Sequence, residues 1–288
     1  MRRWWRTSLT AAMLVADRPA LWLAGALPWT VTVGWFAFLA GVAPPPSIGE
    51  LTFRGAGIFA SGAWPWNAIG IGAAALAVAL VAVALASAGE AVLLHGRRVG
   101  AGEVARLFGI ALVCAVPVLV GLVTLAAAVI VVAPGEFNAP GAGIDPLART
   151  ALAIAPLLAG TVLAAAAGAA IHAAAARHRG DVVVALLEAP RALAGAGLAA
   201  VLQAGALLLA RVAYLVVGAM LLRVLWMPIG IQLAGGEIGV ATLLLLVGFV
   251  AIWLCLVLGG GALHAWGSLS WTGVLRSGQE RLEARTGA

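Results

Sequence analysis

Lysine is missing altogether, so all 17 basic residues are arginine, and acidic residues number only 11. Charged residues of both signs make up 10% of the chain, against about 25% in soluble domains. With 64% hydrophobic residues and a mean hydropathy of +1.09, the chain has too little polar side chain to meet water on all sides. A soluble globular domain is excluded, and an all-α polytopic membrane protein remains. Cysteine is nearly absent as well: Cys114 and Cys255 each lie alone in an apolar run, which argues against a disulfide framework or a zinc site and leaves no cofactor to expect. The hydrolase signatures G-x-S-x-G, S-x-x-K and H-E-x-x-H, the phosphate-binding P-loop and paired acids within a span are all lacking, so the chain is not expected to be an enzyme. Nor do the arginines gather into the stripe that nucleic acid requires; they stand at the ends of apolar runs.

What is present is a series of apolar runs. A membrane span takes about 20 apolar residues, and six runs qualify, near 20–42, 67–94, 106–133, 149–174, 197–226 and 239–266. Thirteen of the 17 arginines fall on one side of that arrangement, at both termini and in the second and fourth connections. The other side carries Arg54 and Arg149 with Glu50, Glu136, Asp145 and Glu237. The positive-inside rule then places both termini in the cytoplasm, across a bacterial inner membrane. Trp29, Trp35, Trp64 and Trp66 fit an aromatic belt at the outer face, and LTFRGAGIFA in the first outer loop is a candidate short interfacial helix. At the start, MRRWWRTSLTAAMLVADRPAL lacks the uninterrupted short apolar core of a cleaved signal, because Asp17, Arg18 and Pro19 break it. Residues 4–16 read as an uncleaved amphipathic helix in the interface, or else as a plain tail. The Ala- and Gly-rich second and fourth spans, with their small-xxx-small faces, are expected to be interior staves of the bundle.

Two polar landmarks recur. Asp17, Glu103 and Glu188 stand 86 and 85 residues apart, each two residues before Pro19, Ala105 or Pro190 and each with an arginine nearby. His95, His178 and His264 close the even spans at intervals of 83 and 86. The period divides the chain into an N-terminal interfacial segment (1–16), a six-helix domain (17–273) of three parallel hairpins (17–102, 103–187 and 188–273) and a charged cytoplasmic tail (274–288). An acid suits a helix's first turn, where free N–H groups and the dipole are positive, and proline is tolerated there, so the landmark is expected to open each odd span. The connections 100–107 and 181–187 read as short elbows, with Val182, Ala185 and Leu186 toward lipid and Asp181, Glu188 and Arg191 toward water. Such elbows anchor the chain or dock a cytoplasmic protein partner.

Two groups of residues are candidates for a site. In the fifth span Gln203, Arg211 and Tyr214 fall on one helical face with Leu207 and Gly218. An arginine there costs about 2.5–3.5 kcal/mol to insert and usually faces the bundle or a watery cavity, whereas Arg223, nearer the outer end, reads as a snorkelling anchor. At the cytoplasmic mouth, Glu90, His95, His178 and His264 would meet if the hairpins surround an axis, with His172 close behind. Histidine can carry protons or metal, but the spacing of a ligand motif is lacking.

The three-hairpin plan, with elbows such as GDVVVALLEAPRAL before an odd span, resembles bacterial six-span families of undefined role. It is similar to the membrane domain of membrane-anchored glycerophosphodiester phosphodiesterases. With no catalytic domain in these residues, the resemblance implies a non-enzymatic membrane scaffold or assembly module whose partners are lipids and a protein at the elbows. The alternative is the membrane subunit of an ABC-2 type exporter, or another small-solute or lipid transporter. Six spans and an interfacial start ending in DRPAL look like such a subunit, although GRRVGAGEVARLFG lacks that family's E-R-x-x-G-T and Ser/Thr-Pro pattern. Nothing in the sequence fixes an oligomeric state.

Overall fold

A computed structural model describes residues 2–34, 66–96, 99–138, 168–174, 181–236 and 239–286, with a few positions between them. Every regular element among the described residues is helical. Four helices are long and apolar enough to cross a membrane: α3 (Trp66–His95), α4 (Ala101–Asn138), α6 (Leu198–Ala234) and α7 (Val240–Thr286). They are joined by α1 (Arg2–Asp17), α2 (Pro19–Trp29) and α5 (Val182–Ala196). Residues 35–38 and 40 of the expected first span, more than half of the fourth, nearly all of the loop at 43–61 with its candidate interfacial helix, the loop at 139–154, and His178 lie outside the described residues.

α7 is the central stave, packed along α2, α5, α6, α1 and the C-terminal end of α3. Its sequence explains how so many helices fit around it. Gly259, Gly260 and Gly261 present bare backbone to α2 and α6. A Cβ on Gly261 would strike the Trp22 carbonyl, one on Gly25 the Gly261 carbonyl, and one on Gly260 the Trp29 ring. The glycines therefore set the interhelical distance, as small residues do where lipid supplies no hydrophobic drive. A second close approach pairs Gly195 of α5 with Gly278 of α7.

α6 packs on α7 through positions spaced three and four apart: Ala200, Gln203, Leu207, Gly218, Leu222 and Ile229 are all buried. Arg211 and Tyr214 complete that stripe, and Tyr214 donates its hydroxyl proton to the Leu256 carbonyl at 2.7 Å. Trp29 meets the Tyr214 ring edge-on at 5.6 Å, which closes the α2–α6–α7 corner. Beyond Pro28, which lacks an N–H to donate, the chain leaves α-helical pairing for a π-helical turn over Thr30–Gly34.

α1 lies against this bundle with three distinct faces. Ser8, Ala11 and Val15 are buried, with Trp266 donating to the Ser8 carbonyl at 3.0 Å and Trp22 to the Val15 carbonyl at 2.7 Å. Trp5, Leu9 and Met13 form an exposed apolar ridge, and Arg6, Thr10 and Asp17 are exposed beside it. At 100° per residue these sets occupy separate sectors, as an interfacial helix resting on both protein and lipid requires.

Three expectations need correction. The acidic landmark opens a helix only at Glu103, whose carboxylate accepts from the Gly100 N–H at 3.3 Å. Asp17 instead ends α1, with Arg18 at the α2 N-cap, while Glu188 and Pro190 lie inside α5. The reason at the third copy is Gly197: its φ of +54° ends α5 and lets α6 start anew, so the joint falls after the landmark. The elbows differ too. Residues 101–107 are simply the first turns of α4. In α5, Ala185 is buried and Val182 and Leu186 pack on Leu107, Ile110 and Ala170, while Val183, Val184 and Leu187 are exposed. The α5 face assigned to lipid is the face that meets the bundle. Finally, α3 is no interior stave: from Ile69 to Leu85 its large side chains are exposed, and only its last turns, at Ser87, Gly89, Ala91 and Leu93, are buried.

Candidate functional site

Because α3 is held mainly near its C-terminal end, it stands off from α2 and α4 and leaves between them a chamber of about 1090 Å³ that is open on one side. The α3 wall is made of Ala74, Ala75, Ala79, Ala82 and Ala86 with two valines; α4 adds Leu107, Ala111, Cys114 and Val118. Small side chains make the space. The polar end of the chamber is Glu90 and His264.

Glu90 lies five residues before the end of α3, about 7.5 Å along its axis. Its carboxylate is held by α7. His264 Nε2 lies 2.9 Å from Oε1, and the Ser268 hydroxyl reaches Oε1 at 2.7 Å and Oε2 at 2.9 Å. The Glu90 and His264 side chains are only 13% and 12% exposed, so the pair is largely withdrawn from solvent. One turn farther along α7, Thr272 pairs with His172 Nδ1 at 3.2 Å and donates to the Ser268 carbonyl at 3.0 Å. His172 is within electrostatic reach of Glu90, His264 and Arg211, and Arg211 within reach of Glu90. Three helices and the 168–174 segment thus contribute to one internal polar group, with α7 at its centre.

Of the mouth residues expected from the sequence, Glu90 and His264 are in direct contact. His95 stands apart, with its Nδ1 buried and without a hydrogen-bond partner, and His178 lies outside the described residues. The fifth-span candidates all face the protein but do not converge. Gln203, fully buried, accepts from Trp4 of α1 at 2.9 Å; Tyr214 binds the Leu256 carbonyl; Arg211 lies beside Gly267 of α7, its Nε buried without a partner. Arg223 is exposed, in keeping with an anchor. Ser268 and Thr272 escaped notice in the sequence, although a signal was there. With His264 they form a polar row at four-residue intervals down one face of α7.

Among the described residues no group of three or more His, Cys, Asp or Glu side chains is arranged to hold a metal ion. The arrangement can instead accept hydrogen bonds and hold charge at one end of an apolar space. Compared with known proteins, the chain matches no protein family, no curated protein and no solved structure.

Proposed function

We propose that this membrane protein is a carrier for small amphiphilic molecules, which enter the chamber beside α3 and present their polar ends to Glu90 and His264. The observation that carries the reading is the pairing of a chamber of about 1090 Å³ with a single polar end. Ligand sites are concave, mostly apolar and fixed in specificity by a few polar groups, and intramembrane ionisable residues mark pathways more often than they mark packing. A pure scaffold has no use for either feature. In the same reading, the chain has six spans as three parallel hairpins, with both termini in the bacterial cytoplasm, supported by the arginine distribution.

The test is flux. Proteoliposomes containing the protein are expected to exchange a labelled short-chain amphiphile faster than empty liposomes, and Ala82→Trp, which fills the chamber, is expected to abolish the difference while leaving a folded protein. Equal exchange with and without protein would rule out the carrier.

The scaffold reading retains one specific support. Glu188 and Arg191 of α5 and Gln279 and Glu283 of α7 line a second recess of about 390 Å³ at the α1 end, and Val183, Val184 and Leu187 are exposed on α5. Cross-linking from Leu187 in native membranes should capture a defined protein partner if assembly is the main role; an ATPase in that position would favour an exporter subunit instead.

A further inference from the structure

The chemistry of the chamber narrows what it can hold. Two of its three hydroxyls are committed to backbone: Ser87 donates to the Val83 carbonyl at 2.7 Å and Thr32 to the Pro28 carbonyl at 2.5 Å, and Thr30 adds a neutral hydroxyl. Cys114 adds only a weak thiol donor. Arg211 and His172 belong to the polar group behind the wall, and neither lines the space. The anionic group at the chamber's polar end is the Glu90 carboxylate, beside the His264 ring. A carboxylate has about four lone-pair sites, and among the described residues Glu90 receives the Ser268 and His264 protons, both of which reach Oε1; Oε2 has one arm of the forked Ser268 bond. Lone pairs of a mostly buried carboxylate are thus left to whatever enters, and a buried acceptor without donors is costly.

From this we infer that the occupant is an alkylammonium: an apolar chain along the alanine wall of α3, with an N–H-bearing cationic head on Glu90. The inference rests on the carrier reading and names its ligand class. A neutral alcohol could donate one hydrogen bond but no charge, and a carboxylate would meet Glu90 with like charge and no donor. The groups facing Glu90 from the protein are His264 of α7, which also lines the chamber, and Arg211 of α6 and His172, which do not reach it. The ammonium can come from a free amine or from the headgroup of an aminophospholipid.

Binding of labelled octylammonium to the full-length protein in phosphatidylcholine nanodiscs tests this, with octanol and octanoate as comparisons. Saturable octylammonium binding is expected, with octanol and octanoate about tenfold weaker or worse, and Glu90→Gln should weaken the ammonium about tenfold. Glu90→Asp, which keeps the charge, should retain more affinity than Glu90→Gln and guards against a variant that merely misfolds. Loss of octylammonium in nanodiscs containing phosphatidylethanolamine would identify the lipid headgroup as the source; unchanged binding would identify the free amine. Equal binding of octanol and octylammonium, abolished by Ala82→Trp but unaffected by Glu90→Gln, would overturn the ammonium assignment and leave the chamber as a site. No binding of any of the three would overturn the carrier reading itself.

Discussion

Two stretches of this bundle are built from small residues and behave in opposite ways. Along the α2–α7 seam, Gly25 and Gly261 each meet the backbone of the other helix, with no room for a methyl group. On α3, Gly70 and Gly72 meet nothing within 4 Å, and the alanines that follow line an open chamber. Small side chains permit close approach without compelling it. What decides is the partner: α7 offers α2 the adjacent Gly260 and Gly261 with a slot for Trp29, whereas α4 meets α3 in a packed core at Leu107 and Ile110, near the last turns of α3. One seam is a structural weld and the other wall is free to enclose something.

Substitutions that exchange the two behaviours should differ greatly in effect. Gly261→Leu forces a side chain into the α2 backbone and is expected to cost about 3 kcal/mol or more, seen as loss of the monodisperse peak after detergent extraction; a normal peak would mean that the seam is not close-packed. Removing the polar tie across the bundle by His264→Phe is expected to cost about 2 kcal/mol, because the Glu90 carboxylate then keeps only Ser268 as a donor. Thermal unfolding in detergent should show it as a clear drop in midpoint. Tyr214→Phe removes one hydrogen bond to the Leu256 carbonyl but keeps the ring against Trp29; a loss of about 1 kcal/mol is expected by the same measurement. The smallest effect belongs to the open wall. Gly70→Ala with Gly72→Ala meets no atom and reduces backbone freedom, so stability should hold or rise by under about 1 kcal/mol per site. A large destabilisation there would show that the outer part of α3 is packed after all.

The sequence made some of this legible. Apolar length alone marks α3, α4, α6 and α7, because a membrane span has a minimum length that few other structures need. The direction of Arg211 was not readable: helical spacing ties it to Gln203, Leu207 and Gly218, but that this face is the buried one follows from the packing of the helix. The site was legible only in pieces. Glu90 and His264 could be named as neighbours of the same membrane face, but their contact depends on how α3 and α7 pack, 174 residues apart. The α5 face was misassigned because an amphipathic pattern shows that two faces differ, not whether the apolar one meets lipid or protein. The alanines of α3 misled in the same way: composition records side-chain size and is silent about the helix opposite.

α7 has one property that becomes consequential when it is treated as a mechanical part. Its 47 residues form one helix about 70 Å long, more than twice the roughly 30 Å of a bilayer's hydrocarbon. A continuous rod of that length pivoting at its middle through 5° would carry each tip about 3 Å. One tip region packs on Trp226 through Phe249, and toward the other lie the contacts with α1 and α5. The polar row begins at His264, beside the fulcrum, where such a rocking barely moves the contact with Glu90 while Phe249, about 21 Å from the middle, shifts by about 2 Å.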